Sequence, residues 1–487
     1  MKVTPRLPGC SSLFFSMPMA LIISSCGLRE QKPMDPDKSG FINIPPQTIG
    51  EIDAFAKYPL VDKACLSSAA STTIKSAVVS SFEKDRILRK SLPLSDVIAR
   101  ESLASPYIKG TTFGAAFQTD CKGELGDRSN CAEETTIIRP SYPLKICRET
   151  ADYVVNSFED VAVTTFVHLN NFLIFHDRIR SSQDQLPPLE LSIMPSITYK
   201  YETGKTERAD NISYYPALFA TPAIVVLPRG RISDKLWPNF DLWDSPWIVG
   251  HEGAHHVFRS YISRKNGANL YLANALDDSE AVSRPNEDFA DSATDSATIA
   301  YLPETVSAVN ESFADLLSFF ALGADSRYLN DLPCVGKNRA ITSATFSDGQ
   351  KKELTASRLA LFYSTDTSNA LPCDANFRDH HIIGAILAHA IYSLFYETVK
   401  QQPAAQQPDI LGKMTLTWLK RMKTVEVDKN TDAKTVLRML LAEAVKTAAG
   451  GGSQLTARQC TVIRSVLPIF ADSLLTPGGS FRCAPNL

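Results

Sequence analysis

Histidine is scarce in this chain, with 8 in 487 residues, so any grouping of imidazoles carries information. Basic clusters are missing too: 53 acidic residues against 50 basic ones give a formal net charge of −3, and no Lys/Arg patch offers an electrostatic footprint for nucleic acid. None of the 10 cysteines stands in a C-x-x-C pair, which argues against a zinc ribbon or a thioredoxin-like redox site. Beyond the first 26 residues no run looks apolar enough to span a bilayer, which takes about 20 residues. What is present, 44% apolar and 21% charged residues, is an ordinary globular composition with material for two or three domains.

The N-terminus reads as an export signal. Lys2 and Arg6 give a positive start, Leu13 to Ile23 an apolar run interrupted by Pro18, and small residues then lead to a cysteine. Ile23-Ser24-Ser25-Cys26-Gly27 resembles a lipoprotein signal, with cleavage before Cys26 and lipid on its sulfur; an ordinary signal peptide cut nearby is the alternative. The expectation is a signal at 1–25, a charged, proline-containing tether at 26–40, and a mature protein held on a membrane surface of the cell envelope, at the outer membrane or the extracellular face. Once Cys10 has left with the signal and Cys26 carries lipid, eight cysteines remain, an even number that suits disulfides in an exported chain. Spacing makes Cys121 with Cys131, Cys334 with Cys373, and Cys460 with Cys483 candidate local loops.

Residues 41–148 mix short extended stretches with Ser, Pro and Gly, and read as an accessory or pro-region or else as the first part of the main unit. From Ala151 apolar residues recur at helical spacing through Phe172, and three strands follow at Leu189 to Ile193, Ile197 to Tyr201 and Ala223 to Leu227. Helices are expected from Ile248 to Arg259, Glu304 to Ala321 and Ile382 to Lys400, and then over most of Ile410 to Phe470 with a break at Gly450-Gly451-Gly452. Between Gly267 and Ala300 lies an acidic stretch with Asp277, Asp278, Glu280, Glu287, Asp288, Asp291 and Asp295. Clustered carboxylates suit Ca2+, but no EF-hand spacing is present and a solvated loop is the simpler reading.

His251-Glu252-Gly253-Ala254-His255 matches H-E-x-x-H. On a helix, residues four apart share a face one turn apart, so both imidazoles reach one ion while Glu252 stands beside its open side. Two imidazoles and a carboxylate, with a fourth position left for water, suit Zn2+. His256, about 100° round the helix from His255, should leave the metal. His389 in an apolar helix reads as a core residue, as do His168 and His176 in the helix after Ala151.

The pattern resembles the thermolysin-like (gluzincin) zinc metalloproteases. Asn310-Glu311-Ser312-Phe313-Ala314-Asp315 is similar to the family's Asn-Glu-x-x-x-Asp helix, which implies Glu311 as third metal ligand and Asp315 as the carboxylate that orients a ligand histidine. Asp379-His380-His381-Ile382-Ile383-Gly384 looks like the family's later histidine followed four residues on by glycine, which implies His380, with His381 as the neighbouring candidate, as donor to the tetrahedral intermediate. The resemblance covers about residues 150–470. It implies an α+β, zincin-like fold: an N-terminal mixed lobe over 149–303 carries the H-E-x-x-H helix, and a mainly helical lobe spans 304–487.

It further implies a zinc endopeptidase with Glu252 as general base and a protein or peptide substrate laid along the strand Ala223 to Leu227. Tyr214 and Tyr215, upstream of that strand, are candidates for the same cleft, with packing as the commoner role for such a pair. Two departures stand out. His255 and Glu311 are 56 positions apart, so the acidic stretch reads as an insertion, and Gly253 sits inside the ligand helix, where glycine costs about 1 kcal/mol relative to alanine. The competing readings are a cell-wall peptide hydrolase using the same metal and an inactive protease-fold lipoprotein that binds a partner. Retention of Glu252 speaks against the second.

Overall fold

The computed structural model describes residues 75–484 apart from 84–85, 95–102, 114–115, 122–130, 140–141, 144–149, 152–157, 194–195, 210–211, 219–220, 227–241, 282–300, 326–337, 365–376, 378 and 476–479. The export signal, Cys26, the tether, and the cysteines at 65, 147, 334 and 373 lie outside those residues, as do Glu287, Asp288, Asp291 and Asp295.

The described chain is mixed α and β, with its sheets in the first half and helices dominating the second. Strands β1 (Ser76–Glu83) and β2 (Arg86–Pro93) form a hairpin, extended by β7 (Thr150–Ala151) parallel to β1. β3 (Ile108–Phe113) and β4 (Ala116–Cys121) follow, then β5 (Cys131–Arg139) and β6 (Tyr142–Pro143). After helix α1 (Phe158–Ile179) come β8 (Leu189–Ile193), β9 (Ser196–Tyr201), β10 (Thr206–Ala209), β11 (Ile212–Leu218) and β12 (Thr221–Val226). The larger sheets run β10-β9-β4-β5 and β11-β12-β8-β3-β6. β3 is parallel to β8 and β4 to β9, so α1 serves as the crossover between them.

This pairing departs from a boundary at 148/149. The strands of 76–143 sit beside and between those of 189–226, and removing 41–148 would strip partners from β8 and β9. Sequence could not reveal this, because parallel pairing across a helix leaves no local mark. The helical pattern from Ala151 also begins later than expected, since Ala151 is spent on β7 and α1 starts at Phe158. A third difference bears on recognition: β12 lies between β11 and β8, so both its backbone edges are already paired and it cannot receive a peptide. The strand at that edge is β11, which carries Tyr214 and Tyr215.

Helix α2 (Pro246–Tyr261) opens as helix-start chemistry dictates: the Ser245 hydroxyl accepts from Ile248 N at 3.3 Å and proline stands in the first turn. It is buried nearly all round, as a central helix must be. Next comes α3 (Leu270–Ala281), where the acidic stretch read as a loop; Leu272, Ala275 and Leu276 are buried, and the helix packs on α4 (Leu302–Ala321). Its apolar spacing outweighs the acids near its end.

The remaining helices are α5 (Ala356–Phe362), α6 (His380–Val399), α7 (Gln407–Met422), α8 (Ala433–Ala448), α9 (Ala457–Val466) and α10 (Pro468–Leu475). The C-terminal run is broken at 423–432 as well as at the glycines, because Asp432 caps a new helix by accepting from Thr435 N. Strands β13 (Gln454–Leu455) and β14 (Arg482–Cys483) pair beside the disulfide Cys460–Cys483, one of the local loops expected. Cys121 is also disulfide-bonded and stands opposite Cys131 in the β4–β5 ladder.

Contrary to the sequence reading, one later segment, α6, is long and apolar enough to cross a bilayer, yet 72% of that window is buried inside the protein. Helices α2, α4 and α6 pack in that order, with α1 covering α2 and α7 and α8 covering α4.

Candidate metal centre

The site forms where α2, α4 and α6 meet. Close approach there rests on glycine. A Cβ on Gly253 would stand 2.7 Å from a Phe172 ring carbon, so the glycine inside α2 lets α1 seat against it. A Cβ on Gly384 would stand 2.7 Å from the Cβ of Glu311, so α6 touches α4 at the residue expected to hold metal.

His251 and His255 project from one face of α2 with their Nε2 atoms 2.9 Å apart. Their Nδ1 atoms are engaged elsewhere: His251 with Asp315 Oδ1 at 3.0 Å, His255 with Asn310 Oδ1 at 3.0 Å. Each ring therefore carries its proton on Nδ1 and turns the Nε2 lone pair toward the other. Glu311 completes the triangle, with Oε2 3.3 Å from His251 Nε2 and Oε1 3.4 Å from His255 Nε2. All three side chains are at most 2% exposed. Two imidazole nitrogens and a carboxylate turned to one buried point could hold a cation.

The dimensions suit one. Donors about 2.0–2.1 Å from a tetrahedral ion stand about 3.3 Å from one another, against the 2.9, 3.3 and 3.4 Å observed. Glu252 is fully buried, and its carboxylate lies within 4.8 Å of both imidazole donor atoms.

Charge supports the same reading. Burial pushes Glu311 up, but His381, His255, His251 and Arg339 together pull it well below the usual carboxylate range. Burial brings His255 down to about 4. Burial and Arg339 also press on His251, yet Glu311 and Asp315 outweigh them and leave it raised. The pair thus takes at most one proton near neutral pH, in the place a cation would take.

The later histidines divide their work. Asp379 caps α6 by accepting from His381 N at 2.9 Å and also holds His381 Nδ1 at 2.7 Å. This aims His381 Nε2 at Glu311 Oε1, 3.8 Å away. Burial lowers His381, but Glu311 and Asp379 outweigh it and raise it to about 9. His380 stacks on His381 with ring centroids 4.2 Å apart and has its Nδ1 3.7 Å from Glu304; burial and His381 lower its pKa. Both histidines come within 4.8 Å of Glu311, but His381 is held by a hydrogen bond to a carboxylate at 2.7 Å, whereas His380 meets Glu304 only at 3.7 Å.

Three of the four histidines set aside in the sequence reading bond to backbone carbonyls, and the fourth, His176, is buried beside the edge of Tyr261. His256 bonds the Pro187 carbonyl at 2.8 Å, His389 that of Ile341 at 2.7 Å, and His168 that of Ser80 at 2.8 Å.

Sequence reasoning missed Arg339. Its guanidinium lies 2.7 Å from both Glu311 and Asp315, and over the Trp247 ring at 5.3 Å. No periodicity or motif marks residue 339, so only the tertiary structure could find it. Compared with known proteins, the chain matches no family model and no curated protein.

Proposed function

We propose that this protein is a zinc-dependent endopeptidase of the thermolysin-like type with a zincin-like fold, exported and held at the cell envelope through lipid on Cys26. The observation that carries the reading is the buried convergence of His251 Nε2, His255 Nε2 and Glu311, with both Nδ1 atoms tied back to Asp315 and Asn310. His251, His255 and Glu311 would hold the ion. Zinc in such a site supplies a Lewis acid that polarises a carbonyl and makes water acidic.

The chain's own groups do the rest. Glu252 takes the proton of the attacking water and delivers it to the leaving amine. His381, steered by Asp379, donates to the oxyanion as charge develops, a role the sequence register gave first to His380. Burial of the whole group strengthens each of these interactions. An extended peptide adds to β11, the strand at the end of its sheet among the described residues, which packs against helix α2.

Glu252→Gln tests the assignment: zinc content of the purified protein should stay at one per chain while casein hydrolysis disappears. Unchanged hydrolysis would refute the assigned mechanism, and a zinc-loaded wild-type protein that cleaves no peptide would leave only the metal site.

A further inference from the structure

Glu311 and Asp315 stand one turn apart on α4, on the same face, and are buried to 2% and 0% exposure. Two like charges so placed repel, and burial removes the water that would screen them. Arg339 answers both. Its Nε and one terminal nitrogen grip the two oxygens of Asp315 at 3.1 and 2.7 Å, and the same terminal nitrogen reaches Glu311 Oε2 at 2.7 Å. That Oε2 is also the oxygen facing His251 Nε2 at 3.3 Å. Arg339 and a cation between the histidines therefore draw on one carboxylate oxygen.

The arginine is delivered by a tied segment, residues 338–354. Asn338 Oδ1 accepts from Ser347 N and Oγ, both at 2.8 Å, and Lys352 Nζ donates to the Ala340 carbonyl at 2.6 Å. The segment is anchored outward as well, through His389 to Ile341 and through Leu354 N to the Val466 carbonyl at 2.7 Å. The position of Arg339 is therefore set by many bonds that do not involve the metal site.

We infer that Arg339 is a positioning residue that stands in as counter-charge to Glu311 and Asp315 before metal arrives, keeping the site assembled while loosening its hold on the ion. The inference rests on the metal-site reading above. Whatever stabilises the empty site more than the loaded one weakens binding by the same factor. Removing the guanidinium leaves the two buried carboxylates less fully compensated in the empty protein, where the facing histidines remain, whereas in the loaded protein a divalent ion also neutralises Glu311.

The test is zinc affinity of the full chain, by competition with a chelator, for wild type and Arg339→Gln. Arg339→Gln should lower the melting temperature of the zinc-free protein and yet tighten zinc binding, by about tenfold or more. Arg339→Lys, which keeps the charge but loses the fork, should fall between. A residue that merely supported the fold would weaken zinc binding when lost.

If Arg339→Gln does not fold, hydrogen exchange on wild type decides. Amides at 308–317 should be protected without zinc to within about tenfold of their protection with zinc, and free exchange there without zinc overturns the inference. If wild type binds one zinc and Arg339→Gln binds it equally or more weakly, only this inference falls. If wild type binds none, the metal-centre reading falls with it.

Discussion

Two buried histidine pairs lie against different faces of helix α2, and they differ in what surrounds them. Toward α4, His251 and His255 meet Glu311, with Asp315 and Asn310 behind the rings. Toward α1 and the segment 181–188, His256 and His176 meet a backbone carbonyl at Pro187 and the edge of Tyr261, whose ring centroid is 6.5 Å from that of His176. Burial lowers His256 to about 4 and His176 to about 3, with Arg180 and His256 adding to the effect on His176. Buried imidazoles alone do not make a metal site. A carboxylate must share the point they face, and acceptors must hold their protons on the far nitrogen.

The comparison breaks most decisively at Glu311. Glu311→Ala should abolish stoichiometric zinc, weakening affinity by more than the roughly 10–100-fold lost with a group that only orients a ligand. His256→Gln should leave zinc at one per chain. Metal analysis after gel filtration reads both, and zinc loss in His256→Gln alone would reverse the assignment of the two faces.

Acid should sharpen the difference next. The folded pKa of His256, about 4, lies below its ordinary value near 6.5. Between those pH values the unfolded chain binds a proton that the folded chain refuses, so stability falls as pH falls through the window. For one such group the loss is on the order of 3 kcal/mol by pH 4. Urea titrations from pH 7 to pH 4 should give a shallower decline in His256→Gln than in wild type, and equal slopes would contradict the burial argument.

Glycine contacts separate the two faces on a smaller scale. Gly384→Ala forces a methyl against Glu311, while Gly253→Ala forces one against Phe172. Overpacking of this kind costs about 1–3 kcal/mol, which in helix interiors is reduced by the roughly 1 kcal/mol alanine gains over glycine. Both should lower the denaturation midpoint, but only Gly384→Ala should also weaken zinc. The smallest effect is that of His256→Gln at neutral pH, about 1 kcal/mol for one lost hydrogen bond, read from the same urea curves.

Much of the site was legible because helices are local objects. The spacing of His251 and His255 fixes one face of α2, and Glu311 with Asp315 fixes one face of α4, whatever surrounds them. The choice between His380 and His381 was not legible, since it depends on how Asp379 caps α6 and which ring that leaves aimed at Glu311. Parallel pairing of β3 with β8 was equally hidden, as it joins segments separated by a whole helix.

By itself the sequence determined the donor types, their helical spacing, the strand at 189–193 to the residue and the helices that bear the site, because each follows from bonds made within a few residues. Only the tertiary structure decided that a guanidinium from residue 339 lies between the two acids of α4, that β12 is enclosed while β11 lies at the end of its sheet, and that two glycines let three helices close. These depend on pairs far apart in the chain, where side-chain volume and charge are matched through space and no local pattern records the match.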